Sequence, residues 1–187
     1  SLESVVININ KKKTSEIMGD ECIPLAGKQV ITERVGDLEF EISPMSFYQV
    51  NPVQMEKLYD KALEYAALTG TETVLDLYCG TGTIGLSMAH TAGAVIGVEV
   101  VEAAVRDAKK NASANRIRNA RFICADAAQA AAQLAGEGTQ VDVVVLDPPR
   151  AGALAQCQEL ARSKVSRIIY VSCNPQTFMR DMEILTR

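Results

Sequence analysis

From residue 73 onward, short and almost wholly apolar runs alternate with segments of helical period. This alternation limits the fold more than any other feature. Runs at 73–77, 94–98, 121–124, 141–146 and 167–172 read as strands. VDVVVL and RIIYVS carry apolar residues at consecutive positions, as strands buried on both faces of a parallel sheet do. Segments near 82–91, 101–114, 126–135, 153–164 and 176–185 fill the gaps as helices. Strand and helix in regular alternation imply an α/β fold with a doubly wound, Rossmann-like sheet.

The first fifty residues follow another rule. Runs at 5–9, 30–34 and 38–42 are β-branched or alternating, and VITERVGDLEFEI reads as a hairpin turning at Gly36-Asp37. Asn51 suits a helix N-cap and Pro52 the first helical position, so a helix is expected from there to about residue 68, stopping at Gly70. The expected division is a small β-rich region over 1–50, part of a central domain, and an α/β domain over 51–187.

VLDLYCGTGTIGLSMA joins the first sheet strand to its helix and contains Gly80-x-Gly82-x-x-Gly85. Glycines there let the backbone turn tightly and approach a ligand, a geometry shared by nicotinamide dinucleotides and S-adenosylmethionine. The neighbouring acids discriminate. Asp76, inside the strand, would repel a pyrophosphate but suits a ligand carrying an ammonium and a sulfonium. Glu99 ends the next strand, where an acid takes both ribose hydroxyls, and Asp126 follows the third, where it either receives an adenine amine or caps a helix. These acids line the carboxyl edge of the sheet, where open α/β folds bind ligands, and favour S-adenosylmethionine.

Two further strand ends carry chemistry. Asp147-Pro148-Pro149-Arg150 is a rigid loop presenting a carboxylate able to hydrogen-bond a planar base. Ser172-Cys173-Asn174-Pro175 presents a thiol before a proline-stiffened turn, as a nucleophile is presented. Cys79 competes for that role but lies in the glycine loop. Cys22, Cys124 and Cys157 read as structural or surface residues.

The five cysteines contain no C-x-x-C, which argues against a disulfide framework and against a zinc or iron–sulfur site. No secretory segment or long apolar run occurs, and a cytoplasmic location fits. The net charge of −4 is poor for general polyanion binding, so any grip on nucleic acid lies in a local patch or a further module. Lys11-Lys12-Lys13 reads first as a solvated turn, and the single histidine, His90, as a solvated or helix-capping residue.

Four motifs occur in order: Phe47-Tyr48-Gln49-Val50-Asn51, Asp76-Leu77-Tyr78-Cys79-Gly80-Thr81-Gly82, Asp147-Pro148-Pro149-Arg150 and Ser172-Cys173-Asn174-Pro175. Together they resemble the RNA 5-methyluridine methyltransferase family, and most of all its 23S rRNA (uracil-5-)-methyltransferases. The resemblance implies a class I S-adenosylmethionine-dependent methyltransferase sheet and a structured RNA substrate such as 23S rRNA. It implies catalysis by Cys173, whose thiolate adds to C6 of uracil. It further implies cofactor contacts at or beside Gln49, Tyr78, Gly80, Gly82, Thr83, Glu99, Asp126 and Asp147. Thr83 stands where many members carry asparagine. The family's proton-abstracting glutamate lies in a His-Val-Glu segment well after the SCNP turn, whereas this sequence ends at Arg187. Glu183 reads as a solvated helix charge, so a chain truncated at both ends, inactive alone, is expected. The alternatives are an amino-group methyltransferase using the Asp-Pro-Pro loop, or a cofactor-binding fragment without turnover.

Overall fold

The structure is a computed structural model that describes residues 2–11, 19, 21–46, 48–49 and 51–186. Phe47 and Val50 of the first motif, and Lys12 and Lys13 of the lysine run, lie outside the described residues.

Five strands, β5 (Thr73–Leu77), β6 (Ala94–Glu99), β7 (Ala120–Cys124), β8 (Val143–Leu146) and β9 (Arg167–Tyr170), form one sheet in the order β7-β6-β5-β8-β9. Every pairing in it is parallel. This is the doubly wound sheet expected from the alternation. Its two faces sort consecutive residues by the period of a strand. Val74, Val95, Val143 and Val145 join one core cluster, while Leu75, Ile96, Val144 and Leu146 join the other.

Helices α1 (Pro52–Ala66), α2 (Thr83–Met88) and α3 (Glu102–Ala114) cover the first face, and α4 (Ala127–Gly136), α5 (Leu154–Leu160) and α6 (Pro175–Leu185) the second. Helix α1 starts where expected: the Asn51 side chain accepts from Gln54 N and Pro52 follows. Its C-terminus is fixed by Arg167, whose guanidinium donates to the carbonyls of Ala66 and Ala67. A cation there also complements the helix dipole. Several elements are shorter than the sequence suggests. β9 ends at Tyr170, β8 begins at Val143, α2 covers only Thr83–Met88, and α5 stops at Leu160, where hydrogen-bonded turns take over.

The amino-terminal part forms two antiparallel ribbons. β3 (Ile31–Val35) and β4 (Leu38–Ile42) make the expected hairpin, turning at Gly36-Asp37 with Gly36 at φ 55°. β1 (Ser4–Ile9) pairs with β2 (Glu21–Gly27), a strand the sequence did not suggest. β2 contains Pro24, lies mostly exposed and lacks alternation, so the pattern that marks a half-buried strand is missing.

The hairpin packs on α3 through two asparagines one helical turn apart. Asn111 accepts from Glu41 N (2.8 Å) and donates to Glu41 O (3.2 Å). Asn115 does the same to Glu39, at 2.9 and 2.6 Å. The two amides thus occupy the open edge of β4 as a neighbouring strand would. Asn111 also donates to Thr81 O (3.2 Å), which ties the hairpin to the glycine loop.

Candidate active site at the carboxyl edge of the sheet

Parallel strands bring their carboxyl ends to one edge. Across it, in sheet order, stand Asp126 after β7, Glu99 at the end of β6, Tyr78 after β5, Asp147 after β8 and Cys173 beyond β9. The sequence separates these residues by up to 95 positions, from Tyr78 to Cys173; the sheet sets them in a row.

The glycine loop is built on Asp76. Its carboxylate is buried, and Oδ2 accepts from Gly85 N at 2.9 Å, pinning the first turn of α2 to β5. A side chain at Gly85 would meet that oxygen at 2.9 Å, so the absent Cβ makes the close helix–strand approach possible. Gly82 sits at φ 84° against the Phe122 ring, a conformation and a space that suit glycine alone. Tyr78 also takes a positive φ, 66°, without being glycine. Such backbone strain is held where the surroundings over-determine it, commonly at functional sites.

Glu99 spends both oxygens on this loop and the next: Oε2 accepts from Gly80 N (3.1 Å) and Oε1 from Val101 N (2.9 Å). Thr83 is buried and its hydroxyl pairs with Tyr59 Oη at 2.9 Å. Asp126 forms a full capping box with Gln129 at the start of α4, so the helix-capping role is realised there. It is exposed, with Oδ1 engaged by Gln129 N at 2.8 Å.

Among the described residues, three buried side-chain oxygens have no hydrogen-bond partner: Tyr48 Oη, Asp76 Oδ1 and Thr81 Oγ1. All three residues line one cleft of about 40 Å³ at the glycine loop, together with Gln49, Tyr78 and Asp147. Buried polar atoms without partners are rare in folded proteins, and three around one space call for a polar ligand. The volume suits a small charged head group. Burial pushes Asp76 up to about 7, against the Gly85 N–H that opposes it and with help from the Asp147 and Glu99 charges. Burial likewise raises Asp147 to about 6. Two carboxylates held in the protonated direction by burial are ready to bind a cation, which would restore their charge. This donor set fits the ammonium and sulfonium of S-adenosylmethionine, and it disfavours a pyrophosphate.

Cys173 is exposed and lines an adjoining cleft of about 510 Å³ with Tyr65, Tyr170 and Phe178. Gln49 and Asp147 line both clefts and so form their common wall. Cys79, the other candidate thiol, is buried, and burial with the Asp76 and Glu99 charges pushes it well above an ordinary thiol. That disfavours its thiolate, the nucleophilic form. Glu183 is exposed on α6. Lys11 is exposed and pairs with Glu21 at 3.8 Å.

The sequence reasoning missed the residues that hold the Cys173 turn. Asp181 on α6 is fully buried and accepts from Tyr170 Oη (2.6 Å), Ala153 N (2.7 Å), and Arg180 Nε and Nη2 (2.9 and 2.7 Å). Arg180 Nη2 reaches Ala151 O at 2.9 Å. Asn174 and Thr177 both donate to Arg150 O, at 3.1 and 3.2 Å. The thiol turn and the Asp147 loop are thereby laced together. One signal was available: Asp181 lies three residues after Phe178 and four before Leu185, on the inward stripe of an amphipathic helix. Tyr59 carried a similar signal, lying between Met55 and Ala62 on the buried face of α1.

No group of histidine, cysteine or carboxylate side chains able to hold a metal occurs among the described residues. Among them too, no helix is long and apolar enough to cross a membrane.

Comparison with known proteins agrees with this geometry. The chain is 52% identical over 184 residues to an uncharacterized RNA methyltransferase of Enterococcus faecalis, covering 98% of this chain and 40% of the relative. It is 49% identical to another of Caldanaerobacter subterraneus, covering 98% and 41%. It therefore spans about 40% of the length of the curated relatives it matches. Its structure is similar to that of the Pyrococcus abyssi tRNA (uracil-54, C5)-methyltransferase in complex with S-adenosyl-L-homocysteine. The TM-score is 0.78 at 33% identity, over 99% of this chain and 45% of that one. A putative S-adenosylmethionine-dependent methyltransferase of Streptococcus mutans, 14% identical with a TM-score of 0.65 over 88% of this chain and 48% of that one, shares the fold alone. The profile of one family, tRNA (Uracil-5-)-methyltransferase, matches residues 21–187, and the chain belongs to that family.

Proposed function

We propose that the protein to which this chain belongs transfers a methyl group from S-adenosylmethionine to C5 of a uridine in structured RNA, with Cys173 as the covalent nucleophile. The observation that carries this reading is the shared wall. Gln49 and Asp147 separate a small, partner-hungry cleft at the glycine loop from the larger cleft holding Cys173. A cationic methyl donor on one side and a planar base on the other would meet there.

The chemistry needs both. Uracil C5 is too weak a carbon nucleophile to be methylated directly. The Cys173 thiolate adds to C6, and the displaced electron pair moves onto the C4 carbonyl oxygen as an enolate. That charge makes C5 nucleophilic. S-adenosylmethionine supplies an activated methyl group, leaving as the neutral thioether. A base then takes the C5 proton, and the electron pair expels the thiolate, so one hard step becomes several easier ones.

The remaining chain supports binding. Asp76 and Asp147 receive the cationic end of the cofactor beside Gln49 and Tyr78, and Gly80 and Gly82 let the backbone approach it. Glu99 takes the ribose hydroxyls with the lone pairs its two amide contacts leave, Asp126 takes the adenine amine with its second oxygen, and Thr83 with Tyr59 closes the floor. In this reading residues 51–187 are the methyltransferase unit and 1–50 part of a neighbouring one, and the parent protein works in the cytoplasm. The sequence motifs favour 23S rRNA as substrate. The Pyrococcus abyssi neighbour is by its name a tRNA enzyme. Methylation of both transcripts by the parent protein decides between them.

An intact-mass measurement tests the mechanism. The chain is mixed with S-adenosylmethionine and a structured RNA carrying 5-fluorouridine, then denatured. Fluorine cannot leave C5 as a proton, so an added RNA mass is expected, absent in Cys173→Ala. Failure of the full-length parent to form it overturns the covalent mechanism, and methylation that survives Cys173→Ala points to an amino-group acceptor.

A further inference from the structure

The chain has a net charge of −4, yet residues 106–121 carry six cations against one carboxylate, Asp107, which is buried. Four of those cations, Lys109, Arg116, Arg118 and Arg121, line a hollow of about 700 Å³ beside the edge strand β7. No acidic residue lines it. Arg121 is paired with Glu137, while Lys109, Arg116 and Arg118 are exposed and form no ion pair among the described residues.

The turn presenting the arginines is fixed. Ile117 between them is buried and its N–H donates to Ala112 O (2.9 Å). Asn119 donates to Ala89 O and Ala92 O, at 2.8 and 3.0 Å. Arg116 takes a left-handed conformation, φ 57°, just past the end of α3. That position favours glycine, which ends helices without strain. An arginine there projects a cation from a backbone corner whose conformation is set by the helix end.

We propose that this hollow is a docking site for the phosphate backbone of RNA, separate from the cofactor and Cys173 clefts. The proposal rests on the reading of the substrate as RNA and adds where the substrate is gripped. β7 starts in the hollow, which Ala120, Arg121 and Phe122 line, and runs toward Asp126, so one strand length, about 17 Å, lies between Arg116 and Arg118 and the carboxyl edge. A short RNA stem bridges that length. An otherwise acidic surface repels the backbone elsewhere, so the patch sets orientation as well as affinity.

Binding of a short fluorescent RNA hairpin to the 187-residue chain, followed by anisotropy from 50 to 200 mM salt, tests it. Three unpaired cations predict that log affinity falls with log salt with a slope of about −2.1 to −2.7 from this site, roughly 20- to 40-fold over that range. The variant Lys109→Gln/Arg116→Asn/Arg118→Gln should lose that part of the slope and bind more weakly at 50 mM. Asparagine is chosen at 116 because it tolerates the left-handed conformation. The charge-conserving Arg118→Lys should keep the slope, and S-adenosylmethionine affinity by calorimetry should not change in the triple variant. An unchanged slope and affinity in the triple variant overturn the proposal, as does a wild-type chain that binds no RNA at 50 mM. So does a variant that loses binding to anionic vesicles while keeping RNA. The Cys173 adduct is read independently, so failure here leaves the methyl-transfer reading standing, and failure there leaves this one decided on its own data.

Discussion

Replacing Asp181 by alanine removes the one buried carboxylate that ties α6, β9 and the loop after Asp147 together. The cost can be built up contact by contact. The Ala153 N–H loses its acceptor in a buried setting, costing about 1–3 kcal/mol. Tyr170 loses a hydrogen bond to a charged group, worth about 1.5–3 kcal/mol. Arg180 keeps 42% of its side-chain exposure and regains water, so its share is about 0–1 kcal/mol. The sum is about 5 kcal/mol, at the upper end of the range for breaking a buried ion pair from one side. With a urea slope of about 2–3 kcal/mol/M, the unfolding midpoint falls by roughly 2 M. Asp181→Asn keeps one acceptor oxygen and should fall by less than half as much. Burial alone would raise this carboxyl, but the Tyr170 hydroxyl, the Ala153 amide and Arg180 together hold it below the usual range. A depressed native value stabilises the fold above the unfolded value near 3.9, and the gain is lost as pH falls through the native one. The gap between wild type and Asp181→Ala therefore narrows in acid. A variant within about 0.5 kcal/mol of wild type at neutral pH, the range of ordinary surface changes, refutes the reasoning.

Asp76 at about 7 and Asp147 at about 6 have the opposite sign. The native state holds more protons than the unfolded one above about pH 4, so ligand-free stability falls as pH rises toward 7, and Asp76→Asn flattens that fall. A wild-type stability profile without this decline between pH 4 and 7 argues against buried carboxyls at the loop. Asn111→Ala removes both contacts to Glu41 and the contact to Thr81 O, costing about 2 kcal/mol and lowering the thermal midpoint by roughly 4–8 °C. A midpoint within about 1 °C of wild type shows that the hairpin does not depend on that amide.

The sequence determined what is local or periodic. Apolar runs of strand length specified the parallel sheet, Asn51-Pro52 marked where α1 begins, and Gly36-Asp37 marked the hairpin turn. Asp147 and Cys173 were legible because the carboxyl ends of parallel strands share one edge, so position along the chain translates into position in space. Strand β2 was illegible for the converse reason: it buries no face, and pairing alone leaves no hydrophobic period to read.

Only the tertiary structure decided which polar groups are satisfied and by whom. Thr83 was a candidate ligand residue by sequence, and packing of α1 on α2 gave its hydroxyl to Tyr59. Asp126 was equally a cap or a contact, and the fold of α4 made it a cap while leaving it at the edge. Asp181 resembled any helix acid until three elements converged on it. Hydrophobic burial is read along the chain because it repeats with a helix or strand period. Hydrogen-bond partnership and burial of charge are set between distant segments, and they exist only once the sheet has brought those segments together.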